Sequence, residues 1–560
     1  YIACLLSLAV VSGCDSILDK GPLDSFTNDN FWTGEGNISG YANAFYEQFL
    51  GYGNGNGYGD FYFKTLSDDQ AGISFAKWTY PDNAPSTSAT WKNGWIEVRR
   101  ANIMLENVPT VASLDEATKN HWLGVARLMR AWQYYHLVRM YGNLPWIDKA
   151  LNINDEGEIY GNREDRDMVM DKVLEDLDFA VTNIKDISSK TTWSRSLANA
   201  MKAEVCLYEG TFRKYRKNED GQQAPDATGA ARYLTACKEA CLAVMSKGYK
   251  LNTSYQGNYN STDLSSNPEM ILYKAYKEGL LMHSTIDYTC SSTQISGMSK
   301  NAFESYLFKD GKPMALTSLN KSDEAPFQYG HLSLKAILAV RDKRLAQTID
   351  TVLLYNGRGF TRFNTGMEST SSTGYGVAKY DNEAIPEGFR SQSGKNYTHA
   401  PLFWLSVIYL NYAEACAELG NITQDDLDKS INLLKDRAGL PHLNPIVGFS
   451  DPANNHGVSD LIWEIRRERR CELMFDNDNR YWDLIRWHQL DKLDTTKYPD
   501  IILGANVAND MDGCEANKVG KYIDGSKDGS RIYDKKHYLY PIPTGQIALN
   551  PQLAPNNPGW

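Results

Sequence analysis

The sequence contains none of the short motifs that carry common catalytic chemistry. It has no GxSxG elbow, HExxH pair, Walker A loop or GxGxxG fingerprint. Nine cysteines are present without a CxxC pair, and nine histidines without HxH or HxxxH spacing. No metal site, cofactor or disulfide framework is therefore expected. Positive charge is also short: 58 Lys and Arg against 69 Asp and Glu give a formal charge of −11. That balance argues against nucleic acid as a partner, because phosphate binding needs a basic field. After the first dozen residues, no apolar run reaches the roughly 18 residues of a spanning helix.

What is present is material for a large core. Of 560 residues, 42% are apolar and 12% aromatic, including 34 Tyr and 13 Trp. Tyr and Trp combine a flat apolar face with a polar handle, useful in cores and on ligand-facing rims. The chain opens on YIACLLSLAVV, then Ser12-Gly13-Cys14. An apolar stretch followed by small residues reads as an export signal whose basic start and Met are missing, so the chain is expected to be truncated there. Val11-Ser12-Gly13-Cys14 resembles a bacterial lipobox, which implies that Cys14 becomes the lipidated first residue of the mature protein. Two or more acyl chains would hold it stably at a membrane.

Periodicity divides the rest. Residues 1–13 are the expected signal, and 14–30 a polar tether with Gly21-Pro22. Residues 31–248 are helical. Val125, Leu128, Trp132, Tyr135 and Val138 share one face, stopped by Gly142 and Pro145; Leu197, Met201, Val205, Tyr208 and Phe212 share another, with Ser194 and Ser196 as caps. A third helix is expected over about 228–247. Residues 249–400 are rich in Gly, Ser, Thr, Asn and Tyr and read as loops and short strands, an insertion of the kind usually given to function. Residues 401–560 return to helices: Leu405 to Leu419, then Leu427, Ile431, Leu434 and Ala438 ended by Gly439, then a charged helix over about 458–475, with an irregular tail. The fold class is mostly α: tetratricopeptide-like helix pairs carrying a large loop-rich insert, although no strict repeat period is visible.

Several segments together resemble the SusD-like (RagB/SusD) family of outer-membrane nutrient-binding lipoproteins. They are Cys14 with Leu18-Asp19, RLMRAWQYYHLVRMYGNLPWI (127–147), SLANAMKAEVCLYEGTFRKY (196–215), Arg341-Asp342-Lys343-Arg344-Leu345, YLNYAEACAELG (409–420), INLLKDRAGLP (431–441), IRRERRCELMFDNDNRYWDLIRW (465–487) and YLYPIPTGQIALNPQLAPNNPGW (538–560). Departures are mild: Asn143 and Leu144 stand for the usual Asp and Val, Lys343 for Pro, and Asp-Asn-Asp-Asn (476–479) for Glu-Gly. The resemblance implies a nutrient-binding surface lipoprotein that is not an enzyme. It also implies a SusC-like TonB-dependent transporter as partner, an outer-membrane, cell-surface location and a glycan as ligand, with peptide-binding members also known.

Candidate ligand residues come from aromatic and amide-rich loops, because a sugar stacks its apolar face on rings and pairs its hydroxyls with carboxylates and amides. Asp68, Asp69, Trp78, Tyr80 and Asn83 supply these groups on one segment, Tyr288 and Gln294 on another. Trp91 and Trp95 fit helical spacing and are expected in the core. The alternating charges of WEIRRERRCEL are expected to make surface or inter-helix ion pairs. The glycine run Gly51–Gly59 reads as a flexible loop. A surface glycoside hydrolase stays open, since 69 acidic residues offer many candidate facing pairs. A helical interaction protein with no small ligand stays open too.

Overall fold

A computed structural model describes residues 31–560 except 65, 73–80, 219–221, 291–295, 320–333, 359, 362–367 and 528. The expected signal, Cys14 and tether lie outside the described residues.

Helix pairs form the scaffold. α1 (Glu35–Asn43) leads to α2 (Ala89–Asn107), α3 (Glu116–Tyr141), α4 (Arg166–Asn183), α5 (Arg195–Tyr215) and α6 (Ala227–Met245). α3 begins where the Asp115 carboxylate accepts the Thr118 amide at 2.7 Å, one of the four orphan donors of a helix start. It buries the predicted face from Val125 to Val138 and stops at Gly142, whose φ is +72°. Ser194, not Ser196, caps α5, accepting the Leu197 amide at 3.1 Å. α2 packs on α3, α3 on α4 and α5 on α6. The last pair is close because Gly210 has no side chain; a Cβ there would meet Leu234 Cγ at 2.8 Å.

The C-terminal block holds α7 (Leu405–Glu418), α8 (Gln424–Asp428), α9 (Ile431–Ala438), α10 (Asp460–Glu472) and α11 (Asn479–Arg486). The face read from Leu427 to Ala438 is split between α8 and α9. Ser430 Oγ donates to the Asp426 carbonyl at 2.5 Å, competing with the helical ladder at that point. α10 ends earlier than its charge pattern suggests, because the chain turns left-handed at Phe475, Asn477 and Asp478 before α11.

Between these blocks the insert holds the expected loops and short strands, together with short helical turns that its composition did not suggest. Antiparallel pairing of β2 (Met270–Lys274) with β6 (Ala400–Trp404) closes its base, and β1 (Gln70–Ala71) pairs with β3 (Gly297–Met298). β4 (Phe360–Thr361) pairs with β5 (Glu368–Ser369), and β7 (Leu503–Asn506), β8 (Lys518–Val519) and β9 (Tyr522–Asp524) form a three-stranded tail sheet. One apolar cluster runs through all three regions, from Leu128 and Leu197 through Ile271 to Leu410 and Leu484. Seven described cysteines are buried and free. Trp91 packs edge-on to Trp95 and Tyr141 inside this core.

The charged helix is buried rather than superficial. Arg469 pairs with Asp483 at 2.8 Å, and Arg466 with Glu418 at 3.0 Å. From the insert, Arg344 enters to meet Glu472 at 2.8 Å and Asp342 at 2.6 Å, and also pairs with Glu468. Arg437 of α9 joins Glu472 to Glu269 of the insert. α10 thus ties three parts of the chain by directional bonds.

Candidate functional site

The glycine run is a pinned turn, not the flexible loop its composition suggested. Asp60 N–H donates to Gly51 O at 2.8 Å, Gly57 N–H to Asn54 O at 2.9 Å and Gly55 N–H to Met282 O at 2.7 Å. The backbone folds on itself so closely that a Cβ at Gly53 would lie 2.2 Å from Gly57 O, and one at Gly59 2.1 Å from Gly51 O. Glycine serves here as the residue that permits such an approach.

The turn presents an aromatic cluster. Tyr58, 59% exposed, stacks on Phe63 with centroids 4.4 Å apart and planes 14° apart. Tyr288 stands edge-on to both, at 5.7 and 5.6 Å, and its hydroxyl donates to Asn56 O at 3.4 Å. Next to Phe63, Tyr62 is buried and anchored: its hydroxyl donates to Ser296 O at 2.9 Å, its amide to Phe475 O at 2.9 Å. The rim is therefore fixed from below, and a large ring remains in solvent.

Beneath it lie Asp68 and Asp69, both buried. Asp68 takes Arg480 through two hydrogen bonds of 2.6 Å, and Asp69 takes Arg470 at 2.7 Å. Burial alone would raise the Asp68 carboxyl, but Arg470 and Arg480 outweigh it and hold it well below the usual carboxylate range. Asp69 goes the other way, raised by burial and by its neighbour Asp68. Ser299 ties this corner to the insert, its hydroxyl donating to Asp68 O at 2.6 Å.

Phe63 also borders a cleft of about 480 Å³ that reaches Trp132, Trp482, Asp60, Glu204 and Asp478. Burial pushes the Asp478 carboxyl up to about 6 and raises Asp60 and Glu204 as well. The left-handed backbone at Asn477 and Asp478 (φ 48° and 58°) forms part of its wall. Non-glycine residues in that region cost of order 1–3 kcal/mol each and cluster at functional sites.

Of the residues nominated from sequence, Tyr288 joins the aromatic cluster, Asp68 and Asp69 sit in buried ion pairs below it, and Asn83 is exposed before α2. Trp78, Tyr80 and Gln294 lie outside the described residues. Tyr58 and Phe63 were not nominated. Their signal was available in GYGDFYF (57–63), where rings flank the end of a glycine run. Among the described residues no group of three His, Cys, Asp or Glu side chains is placed to hold a metal ion, and no helix is long and apolar enough to cross a membrane.

Known proteins share this architecture. Residues 243–560 match the family described as "SusD family", and residues 27–207 match one described as "Starch-binding associating with outer membrane". A SusD-like protein of Formosa agariphila is 24% identical over 86% of this chain and 90% of its own. Another, from Bacteroides ovatus, is 24% identical over 84% and 79%. The solved SusD-like carbohydrate-binding protein of Bacteroides fragilis superposes with a TM-score of 0.70 at 21% identity, covering 94% of this chain and all of that one. A laminarin-binding SusD-like protein gives 0.55 at 20% identity, over 94% and 100%. The helix-pair scaffold is thus that of SusD-like proteins, and with a family match over more than half its length the chain belongs to the SusD family.

Proposed function

We propose that this protein binds glycan at the cell surface and passes it to a SusC-like TonB-dependent transporter, held at the outer membrane by acyl chains on Cys14. The observation that carries the reading is the cluster of Tyr58, Phe63 and Tyr288, an exposed aromatic step on an anchored turn. The C–H face of a sugar ring stacks on such a surface, and rings already held in place lose little entropy on binding. Solved relatives described as carbohydrate-binding and laminarin-binding support the ligand class. Family membership and the outer-membrane description of the N-terminal match support the location. Affinity for soluble fragments is expected between about −8 and −4 kcal/mol. Trp78, Tyr80, Asn83 and Gln294 are proposed to complete the site.

The test is affinity electrophoresis on laminarin, starch and other glycans, with peptides as the competing ligand class, followed by calorimetry of Tyr58→Ala, Tyr288→Ala and Trp78→Ala. Retardation by a glycan, lost in the two tyrosine variants, is expected. Binding of peptides alone would replace the glycan reading. A second reading, hydrolysis, draws on Asp478 and Asp60 in the adjoining cleft, since a carboxyl whose pKa burial raises toward neutrality suits a general acid. New reducing ends, abolished by Asp478→Asn, would establish it. Radiolabelled palmitate entering the wild type but not Cys14→Ser tests the anchor.

A further inference from the structure

A second cleft, of about 450 Å³, runs beside α10 and is bordered by residues 313–315, 452–455 and 498–501. It shares Asp68, Arg470 and Arg480 with the charged corner and no residue with the aromatic cluster. Five cations line it, and four are paired: Arg466 to Glu418, Arg467 to Glu464 and Asp451, Arg470 to Asp69 and Arg480 to Asp68, although Nε and Nη1 of Arg466 are left without partners. Lys492 is the fifth. It is 8% exposed, and among the described residues its ammonium has no hydrogen-bond or ion-pair partner. Its close neighbour is the Trp463 ring, whose centroid is 4.6 Å away.

Asp68 attracts this ammonium only at a distance, and a buried ammonium with no direct ion pair is unfavourable; proteins either neutralise such a group or supply an anion. This cleft leaves room for one. Its size lies in the range of small-molecule sites, roughly 300–1,000 Å³. Pro313, Met314 and Pro452 add an apolar wall, and Trp463 is oriented by its indole N–H, which donates to Asp451 at 3.2 Å. Apolar wall, ring face, the Lys492 ammonium and the two unpartnered Arg466 donors together select a charged group carried on a compact body.

We propose that this cleft binds an organic anion of monosaccharide size, with its carboxylate or sulfate ester on Lys492 and its ring against Trp463. Burial first, then Arg480, lowers the Lys492 ammonium to about 7, with Arg470 and Arg466 adding to the effect and Asp68 opposing it. Binding therefore tightens as pH falls to 6 and weakens as it rises to 8.

Calorimetry at pH 6 and low salt, with glucuronate, glucose 6-sulfate, inorganic sulfate and glucose as probes, tests the assignment. Glucuronate or glucose 6-sulfate is expected to bind and glucose not, and which of the two binds identifies the anionic group. Lys492→Met should weaken the bound probe about ten- to hundredfold, as loss of a charge-assisted hydrogen bond does, while Lys492→Arg retains it. In the unaltered protein the same probe should slow acylation of the Lys492 amine, read by peptide mass, so the test survives a variant that fails to fold. No heat with either sugar acid, unchanged affinity in Lys492→Met or no protection of the amine would overturn the proposal. Inorganic sulfate binding as tightly as the sugar would overturn the ring contact, and with it the organic ligand.

Discussion

Ten residues separate two surfaces built on opposite principles. The aromatic rim at Tyr58 and Phe63 is held by backbone hydrogen bonds and leaves Tyr58 mostly in water with Phe63 half-buried beside it, whereas the corner at Asp68 and Asp69 is closed, each carboxylate paired with an arginine. Rim residues are free to touch a ligand because corner residues are not. The charged corner connects, through Arg470 and Arg480, to the buried ion pairs of α10, so the cost of positioning the rim is met deep in the scaffold. Polarity in a sequence therefore does not mark a contact surface; a carboxylate that has found its arginine is part of the frame.

This division can be broken from either side. The largest effect is expected at Arg344. Arg344→Leu leaves buried Asp342 without its arginine and Glu468 and Glu472 with only Lys435 and Arg437, and urea denaturation should show a loss of about 3–5 kcal/mol, the usual result of removing one member of a buried ionic group. Next comes pH. Burial would raise the Glu414 carboxyl, but Arg486 and its hydrogen bonds lower it to about 2, against an ordinary glutamate near 4.5. A depressed carboxyl stabilises the fold above the unfolded-state value and loses that contribution as pH falls through the folded one. Denaturation midpoints should accordingly drop between about pH 4.5 and 2, and Glu414→Gln should flatten that slope while lowering stability at neutrality.

A third variant joins the two surfaces. Gly53→Ala places a methyl on Gly57 O at a backbone φ of +89°, and should cost about 1–3 kcal/mol while also displacing Tyr58, so stability and glycan retardation should fall together. The smallest change in stability belongs to the rim itself. Tyr58→Ala removes a mostly exposed ring and should shift unfolding by under about 1 kcal/mol, yet reduce glycan affinity about tenfold in calorimetry. Equal losses of stability in Tyr58→Ala and Arg344→Leu would erase the contrast between rim and frame.

Much of the frame was legible in the sequence because its periodicity is local. The faces of α3, α5 and α7 follow from three- and four-residue spacing, and the Ser194 cap from its position. The break between α8 and α9 was not legible, since one serine hydroxyl competing for a carbonyl leaves the apolar spacing intact. The site was harder. Asp68 and Asp69 looked available because nothing local shows that Arg480 and Arg470, some 400 positions later in the chain, close on them. Tyr288 was nominated with its loop, but its partners Tyr58 and Phe63 come from a segment 225 or more residues earlier. The glycine run misled for a related reason: glycine permits looseness and close approach alike, and only the tertiary fold decides between them.

The sealed thiols give the molecule seven internal clocks. Cys206, Cys237 and Cys241 lie in α5 and α6, Cys416 in α7, Cys471 in α10, Cys290 in the insert and Cys514 near the tail sheet, all buried. Burial raises the pKa of Cys206, Cys237, Cys416, Cys471 and Cys514, that of Cys471 to about 12, so an alkylating reagent finds little thiolate at these positions in the closed state. Each modification must wait for its own region to open, and the order in which the seven react traces the sequence in which the protein comes apart.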